Sequence, residues 1–147
     1  HATTLLDRPI LAEPFARPRL LERQPPGPLS IILLSVDDRA GGVCDELLFE
    51  VLLFEHQPSS RAWRQGDCVA VLRASDELDA VLWAGQIRER LHEHGLRVSA
   101  GVASAAGSKP AKQLFSEAEW ALDRVRHHGG DMVLAHSTTV LVGDQRP

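Results

Sequence analysis

A chain of 147 residues with 44% hydrophobic content and a mean hydropathy of -0.13 suits one soluble domain built on a single core. Its 20 acids and 16 bases give a formal charge of -4 without any basic stripe, which excludes the usual footprint of a nucleic-acid binder. Two cysteines, Cys44 and Cys68, are too few for a disulfide framework and lack C-x-x-C spacing, so a reducing, cytoplasmic setting is expected.

The apolar runs "LSIILLSV" and "ELLFEVLLFE" fall far short of the roughly 20 residues that cross a bilayer, and no membrane segment is expected. Because the chain opens on His1 rather than Met, the expectation is a piece of a longer protein. Its other domains, a separate protein or a second copy would then be the partners.

Residues 1–28 read as an irregular lead-in, since 13–28 carry five of the nine prolines and proline breaks a regular helix. The apolar run over 29–36 predicts a central strand covered on both faces. In "DELLFEVLLFEH", 45–56, Leu47, Leu48, Val51, Leu52 and Phe54 fall on helical spacing, with Asp45 and Glu46 favourable in the first turn. Gln65-Gly66 between "RAWR" and "DCVAVLRA" predicts a hairpin, with Asp67 starting the outgoing strand. Ser75 is placed as the cap of a helix over about 76–94 that stops at Gly95. A strand over 96–104 follows. Pro110 opens a helix with Leu114, Ala118, Ala121, Leu122 and Val125 on one face, closed by Gly129-Gly130. "DMVLA" and "TTVLV" predict short edge strands.

The order β-α-β-β-α-β, extended by a helix and strand, is the α+β, ferredoxin-like split βαβ arrangement. An antiparallel sheet with helices mainly on one face is expected. Two readings of Asp67-Cys68 stand at this stage. Either Asp67 solvates a turn while Cys68 packs inward, or the pair belongs to a weakened nucleotide site. His92, His94, His127 and His128 are spaced so that neighbours diverge on a helix, which favours solvation over metal binding. Trp63, Trp83 and Trp120 read as core or interface anchors, and Asp37-Asp38 as a solvated strand end.

Six pieces in order resemble the GGDEF family of diguanylate cyclases, which condense two GTP into cyclic di-GMP on a nucleotidyl cyclase palm. "LAEPFARPRLLER" resembles the opening L-T-G-L-x-N-R-R-x-x-x-x-R, "LSIILLSVDD" the L-x-D-x-D strand, and "DELLFEV" the G-D-x-x-L helix. "RQGDCVAVL" stands where R-Y-G-G-D-E-F is expected; "LRVSAGVAS" resembles V-T-x-S-x-G-V-A, and "FSEAEWALDRVRHHGGDMV" resembles L-x-x-A-D-x-A-L-Y-x-A-K-x-x-G-R-N. The resemblance implies a domain over 29–147.

The same resemblance implies that the first Asp of D-x-D and an acid of the signature hold two metal ions. Ser35 takes the first position, and the signature reads Gln65, Gly66, Asp67, Cys68, Val69. One carboxylate, a hydroxyl and a thiol are poor ligands for Mg²⁺, which takes hard oxygens. Gln65 adds bulk where a phosphate needs the backbone close. The loop after the first strand is too short for one guanine-reading residue, while Asp45 matches the other. Arg126 matches the phosphate-facing Lys, Gly130 replaces an Arg, and His56-Gln57-Pro58-Ser59 replaces the R-x-x-D inhibition motif. The expectation is a catalytically inactive regulatory or interaction module with no catalytic residue, metal site or cofactor. The alternative is a sensor binding GTP or cyclic di-GMP through Asp45, Gly66, Asp67 and Arg126.

Overall fold

The computed structural model describes residues 27–37, 49, 61–107, 109–137 and 141–143. The elements are β1 (Leu29–Val36), β2 (Arg61–Gln65), β3 (Cys68–Arg73), α1 (Glu77–His92), β4 (Val98–Ala105), α2 (Ala111–His127), β5 (Met132–Ala135) and β6 (Leu141–Gly143). They form one sheet in the order β2-β3-β1-β4-β5-β6. The first four strands in that order are the split βαβ arrangement, with β1 paired antiparallel to both β3 and β4. The lead-in and most of the helix expected over 45–56 lie outside the described residues. Phe49 is described, and it is helical and buried.

The unbroken apolar character of β1 follows from coverage on both faces. Ile31, Ile32, Leu33 and Leu34 are each no more than 1% exposed. Burying four such side chains stabilises the fold by about 1.5–3 kcal/mol apiece before entropy is counted. Paired residues in an antiparallel ladder share a face. Ser30 pairs with Arg73 and Ser104. That face belongs to α1, because Ser30 Oγ donates to the Ser75 carbonyl at 2.8 Å and Arg73 stacks over Trp83 at 4.6 Å. Leu33 pairs with Ala70 and Gly101 on the other face. There α2 comes so close that a Cβ on Gly101 would sit 2.3 Å from the Ala118 carbonyl oxygen and 2.4 Å from the Leu122 nitrogen.

Four local expectations are corrected. The sheet is mixed where an antiparallel one is expected: α2, on the face opposite α1, lies outside the split βαβ unit and connects β4 to β5 as a crossover. Parallel strands need such a crossover, and among the described strands β4 and β5 are the one parallel pair in an otherwise antiparallel sheet. The hairpin loop is Gly66-Asp67, one residue later than expected, since Gln65 pairs with Cys68 and strand β3 starts at Cys68. Gly66 has φ +63 at the first loop position, where the tight two-residue turn demands glycine. The cap of α1 is Asp76, whose carboxylate accepts from the Asp79 N–H at 2.8 Å, while Ser75 is buried. The helix ends with Glu93 as its C-cap, and Gly95 has φ +79 just beyond it.

Candidate functional site

The end of β1, the β2-β3 hairpin and the last turns of α2 meet on the α2 face. Pairing alternation turns Ser35 and Cys68 toward α2, and Arg126 reaches them from two turns beyond the helix's seat on Gly101. Its Nη2 donates to Ser35 Oγ at 2.7 Å, lies 3.7 Å from Cys68 Sγ and 3.8 Å from Asp67 Oδ2. One guanidinium thus joins three elements across 91 residues of sequence separation. The bond to Ser35 is charge-assisted and carries most of the energy, about 1.5–3 kcal/mol. The ion pair adds less, because Asp67 is 84% exposed and water screens it.

Cys68 donates its thiol proton to Asp67 Oδ1 at 3.3 Å. Burial, reinforced by that hydrogen bond and the nearby carboxylate, pushes the thiol up to about 12 despite Arg126. It is a neutral thiol at any physiological pH. Gln65 accepts from Trp63 Nε1 at 3.0 Å, which holds its side chain beside the hairpin. Val69 pairs with Leu34 and is buried on the α1 face, away from the other signature residues. Gly66 has open space around its Cα, so the turn and no close contact requires it. Asp45 lies outside the described residues, as do Asp38, Cys44 and the segment 56–59.

A cleft of about 510 Å³ opens beside this junction, with Leu33 and Leu122 as apolar lining and Gln65, Asp67, Glu119, Asp123 and Arg126 as polar lining. Among the described residues, three carboxylates line it against one guanidinium. Trp120 also lines it, 48% exposed, under Arg124 at 5.2 Å and edge-on to His136 at 5.2 Å. Trp63 and Trp83 are core residues.

A second polar cluster follows the same C-terminal end of α2, and sequence reasoning missed its key members. Asp37 accepts from Ser99 Oγ at 2.7 Å and from the Asp131 N–H at 3.0 Å, so both carboxylate oxygens serve the turn. Asp131 adopts φ +60 after two glycines that also have positive φ, Gly129 and Gly130. Arg88, buried on α1, donates Nε–H to the Asp131 carbonyl at 2.9 Å. The same nitrogen stands 3.1 Å from Asp131 Oδ1, a charge contact without hydrogen-bond geometry. The signal was present: an arginine set in the stripe of Ala84, Ile87 and Leu91 needs a buried acceptor.

No protein-family model matches this sequence, and no curated protein does. Solved structures are similar in fold. A microbial GGDEF domain studied for its interaction with cyclic di-GMP matches over 82% of this chain and 86% of its own, at 22% identity and a TM-score of 0.71.

The chain has the GGDEF-domain fold.

The GGDEF domain of DgcB from Caulobacter crescentus, in complex with cyclic di-GMP, is similar over 76% of this chain and 77% of its own, at 16% identity and a TM-score of 0.65. Diguanylate cyclase SiaD from Pseudomonas aeruginosa, in complex with its activator SiaC, is similar over 90% of this chain and 62% of its own, at 16% identity and a TM-score of 0.64. In the GGDEF arrangement, Ser35 and Cys68 stand where the resemblance expects acids. Among the described residues, the side-chain donors at the junction are one exposed carboxylate, a hydroxyl and a neutral thiol, with a guanidinium within 4 Å of all three. That set does not match the hard oxygen octahedron Mg²⁺ takes. Among the described residues, no helix is long and apolar enough to cross a membrane.

Proposed function

We propose that this chain is a GGDEF-like domain without cyclase activity, serving as a regulatory, protein-contacting module in cyclic di-GMP signalling. The observation that carries the reading is the junction of Ser35, Asp67 and Cys68 around Arg126, with the Cys68 thiol pushed up to about 12. Joining two GTP requires metal ions that activate a 3′-hydroxyl and neutralise phosphate charge. Here the residues that would bring such ions carry one net negative charge, already matched by an arginine. What remains is a rigid scaffold with a sculpted surface. Its partners would be other domains of a parent chain, a second signalling protein or a second copy; the SiaD complex with its activator is an example of a GGDEF fold engaged by another protein. A cytoplasmic location follows from this role.

The test is product formation by purified protein supplied with GTP and Mg²⁺. No cyclic di-GMP above that of a Cys68→Ala control is expected. Product that accumulates with wild type and is lost in the control overturns the reading.

One observation favours a sensor instead: a cleft of about 510 Å³ survives beside Arg126, within the size range of ligand sites. Gly66, Asp67 and Arg126 would face the nucleotide there, with Asp45 reading guanine. Against it, Asp67, Glu119 and Asp123 oppose a polyphosphate with three negative charges. Calorimetry separates the two. Absence of heat with millimolar GTP and micromolar cyclic di-GMP leaves the module, whereas saturable heat abolished by R126Q establishes the sensor.

A further inference from the structure

A divalent cation between carboxylates holds them together as well as supplying chemistry. Remove the cation and like charges at a strand end and a hairpin tip repel. The junction described above has solved that problem differently. Two of its three facing groups, Ser35 and Cys68, are neutral, and the third, Asp67, is matched by a guanidinium 3.8 Å away. The charge sum is zero without any added ion.

Arg126 suits the task for three reasons. Guanidinium carries a fixed positive charge, so no added ion has to supply it. Its Nη2 carries two N–H groups, and that one nitrogen donates to Ser35 and Cys68 while standing 3.8 Å from the Asp67 carboxylate. It is also mounted on a helix whose backbone is seated directly against Gly101, which fixes the point from which the side chain reaches. A second cation placed among the same three groups would stand within about 4 Å of this fixed positive charge and be repelled. Glu119 and Asp123 line the wider cleft, and they are the groups that would draw an ion if this exclusion failed.

We infer that Arg126 is a built-in cation that takes the structural place of a divalent metal, tying β1 and the hairpin to α2 so that the domain holds its shape independently of magnesium. The inference rests on the reading of this site as non-catalytic and adds a cause for its retained order.

The experiment compares wild type, R126Q and R126K by thermal unfolding in EDTA and in millimolar MgCl₂, with hydrogen exchange read over Gln65–Val69. Wild type should unfold at the same temperature in both solutions. R126Q should unfold about 5–10 °C lower and lose protection in the hairpin, because one charge-assisted bond is gone. R126K, which keeps the charge and loses the guanidinium, should recover much of both. A rise in wild-type unfolding temperature with magnesium overturns the inference, as does unchanged hairpin exchange in R126Q. If R126Q shows no cooperative unfolding, R126K decides: a folded R126K supports the tethered charge, and an unfolded one refutes it. Cyclic di-GMP made by wild type would instead remove the underlying reading.

Discussion

Replacing Gly101 with alanine tests the feature on which the whole site stands, the seating of α2 against β4. A Cβ there would lie 2.3 Å from the Ala118 carbonyl oxygen, 2.4 Å from the Leu122 nitrogen and 2.9 Å from Leu122 Cα. All three are backbone atoms, so no rotamer change relieves the clash and the helix must retreat by about 1 Å to reach ordinary contact. That retreat loosens Leu114, Ala118 and Leu122, which are at most 3% exposed. A radial gap of this size forfeits a quarter to a half of each contact, and overpacking alone costs about 1–3 kcal/mol. Alanine's entropic advantage over glycine in a strand returns about 0.5–1 kcal/mol. The net expectation is a loss of about 3 kcal/mol, or about 10 °C in unfolding temperature for a domain of this size. Urea unfolding measures it, with G107A as the control, because Gly107 has open space around it and an ordinary φ. A G101A protein within about 0.5 kcal/mol of wild type, a difference typical of neutral surface changes, would refute this packing and with it the placement of Arg126.

Three further outcomes are expected. D131A should cost about 3 kcal/mol in urea, at the low end for a broken buried ion pair because Glu89 still pairs with Arg88 Nη1 at 3.1 Å; D131N should cost less, since asparagine tolerates the left-handed backbone. Burial opposes ionisation of Glu117, but hydrogen bonds from Lys109 and Gln113 and the charges of Lys109 and His136 hold its carboxyl below the usual 4.5. A lowered folded value gives stability present above the unfolded value and lost as pH falls through the folded one. E117Q should therefore cost about 1 kcal/mol near neutrality and nothing in strong acid, a pH profile that chemical denaturation can trace. In a Cys44→Ser background, Cys68 should label with a disulfide reagent at pH 8 about a thousand times more slowly than a free thiol, since lifting it from 9.0 to about 12 removes that share of thiolate. Labelling at the rate of an exposed cysteine would show that the thiol is not packed beneath Asp67.

How far the sequence could be read depended on the range of the interaction involved. The apolar run 29–36 and the helical stripe from Leu114 to Val125 declare themselves because their periodicity is local and their burial confirms it. The hairpin loop and the α1 cap each slipped by one residue, because Gln65 and Ser75 are also acceptable at those places by propensity alone and only the observed pairing and capping bonds choose between neighbours. Which face each helix covers was not legible, since the crossover from β4 to β5 is set by sheet order. Arg88 and Asp131, 43 residues apart, escaped because nothing nearby in sequence announces their meeting. The family resemblance marked Ser35 and Arg126 as separate site positions, and their direct contact was not anticipated. Two motif letters now have physical causes: Gly101 admits the α2 backbone, and Ser99 bridges Asp37 to the Asp131 N–H.

Those causes separate the parts of the pattern that maintain the fold from the parts that serve chemistry. Gly101, Ser99, Gly66 and the apolar strand β1 each satisfy a steric, hydrogen-bonding or burial requirement that exists whether or not a nucleotide is bound. The acids that the resemblance expects at Ser35 and Cys68 satisfy none of these; carboxylates at such buried positions would need a counter-ion. Losing them relieves the fold of a charge problem. A single arginine can then complete the junction, where two or three carboxylates would have required divalent ions. The geometry of the hairpin is thus energetically separable from the chemistry that the resemblance associates with it, and on the proposed reading that geometry serves as a recognition surface.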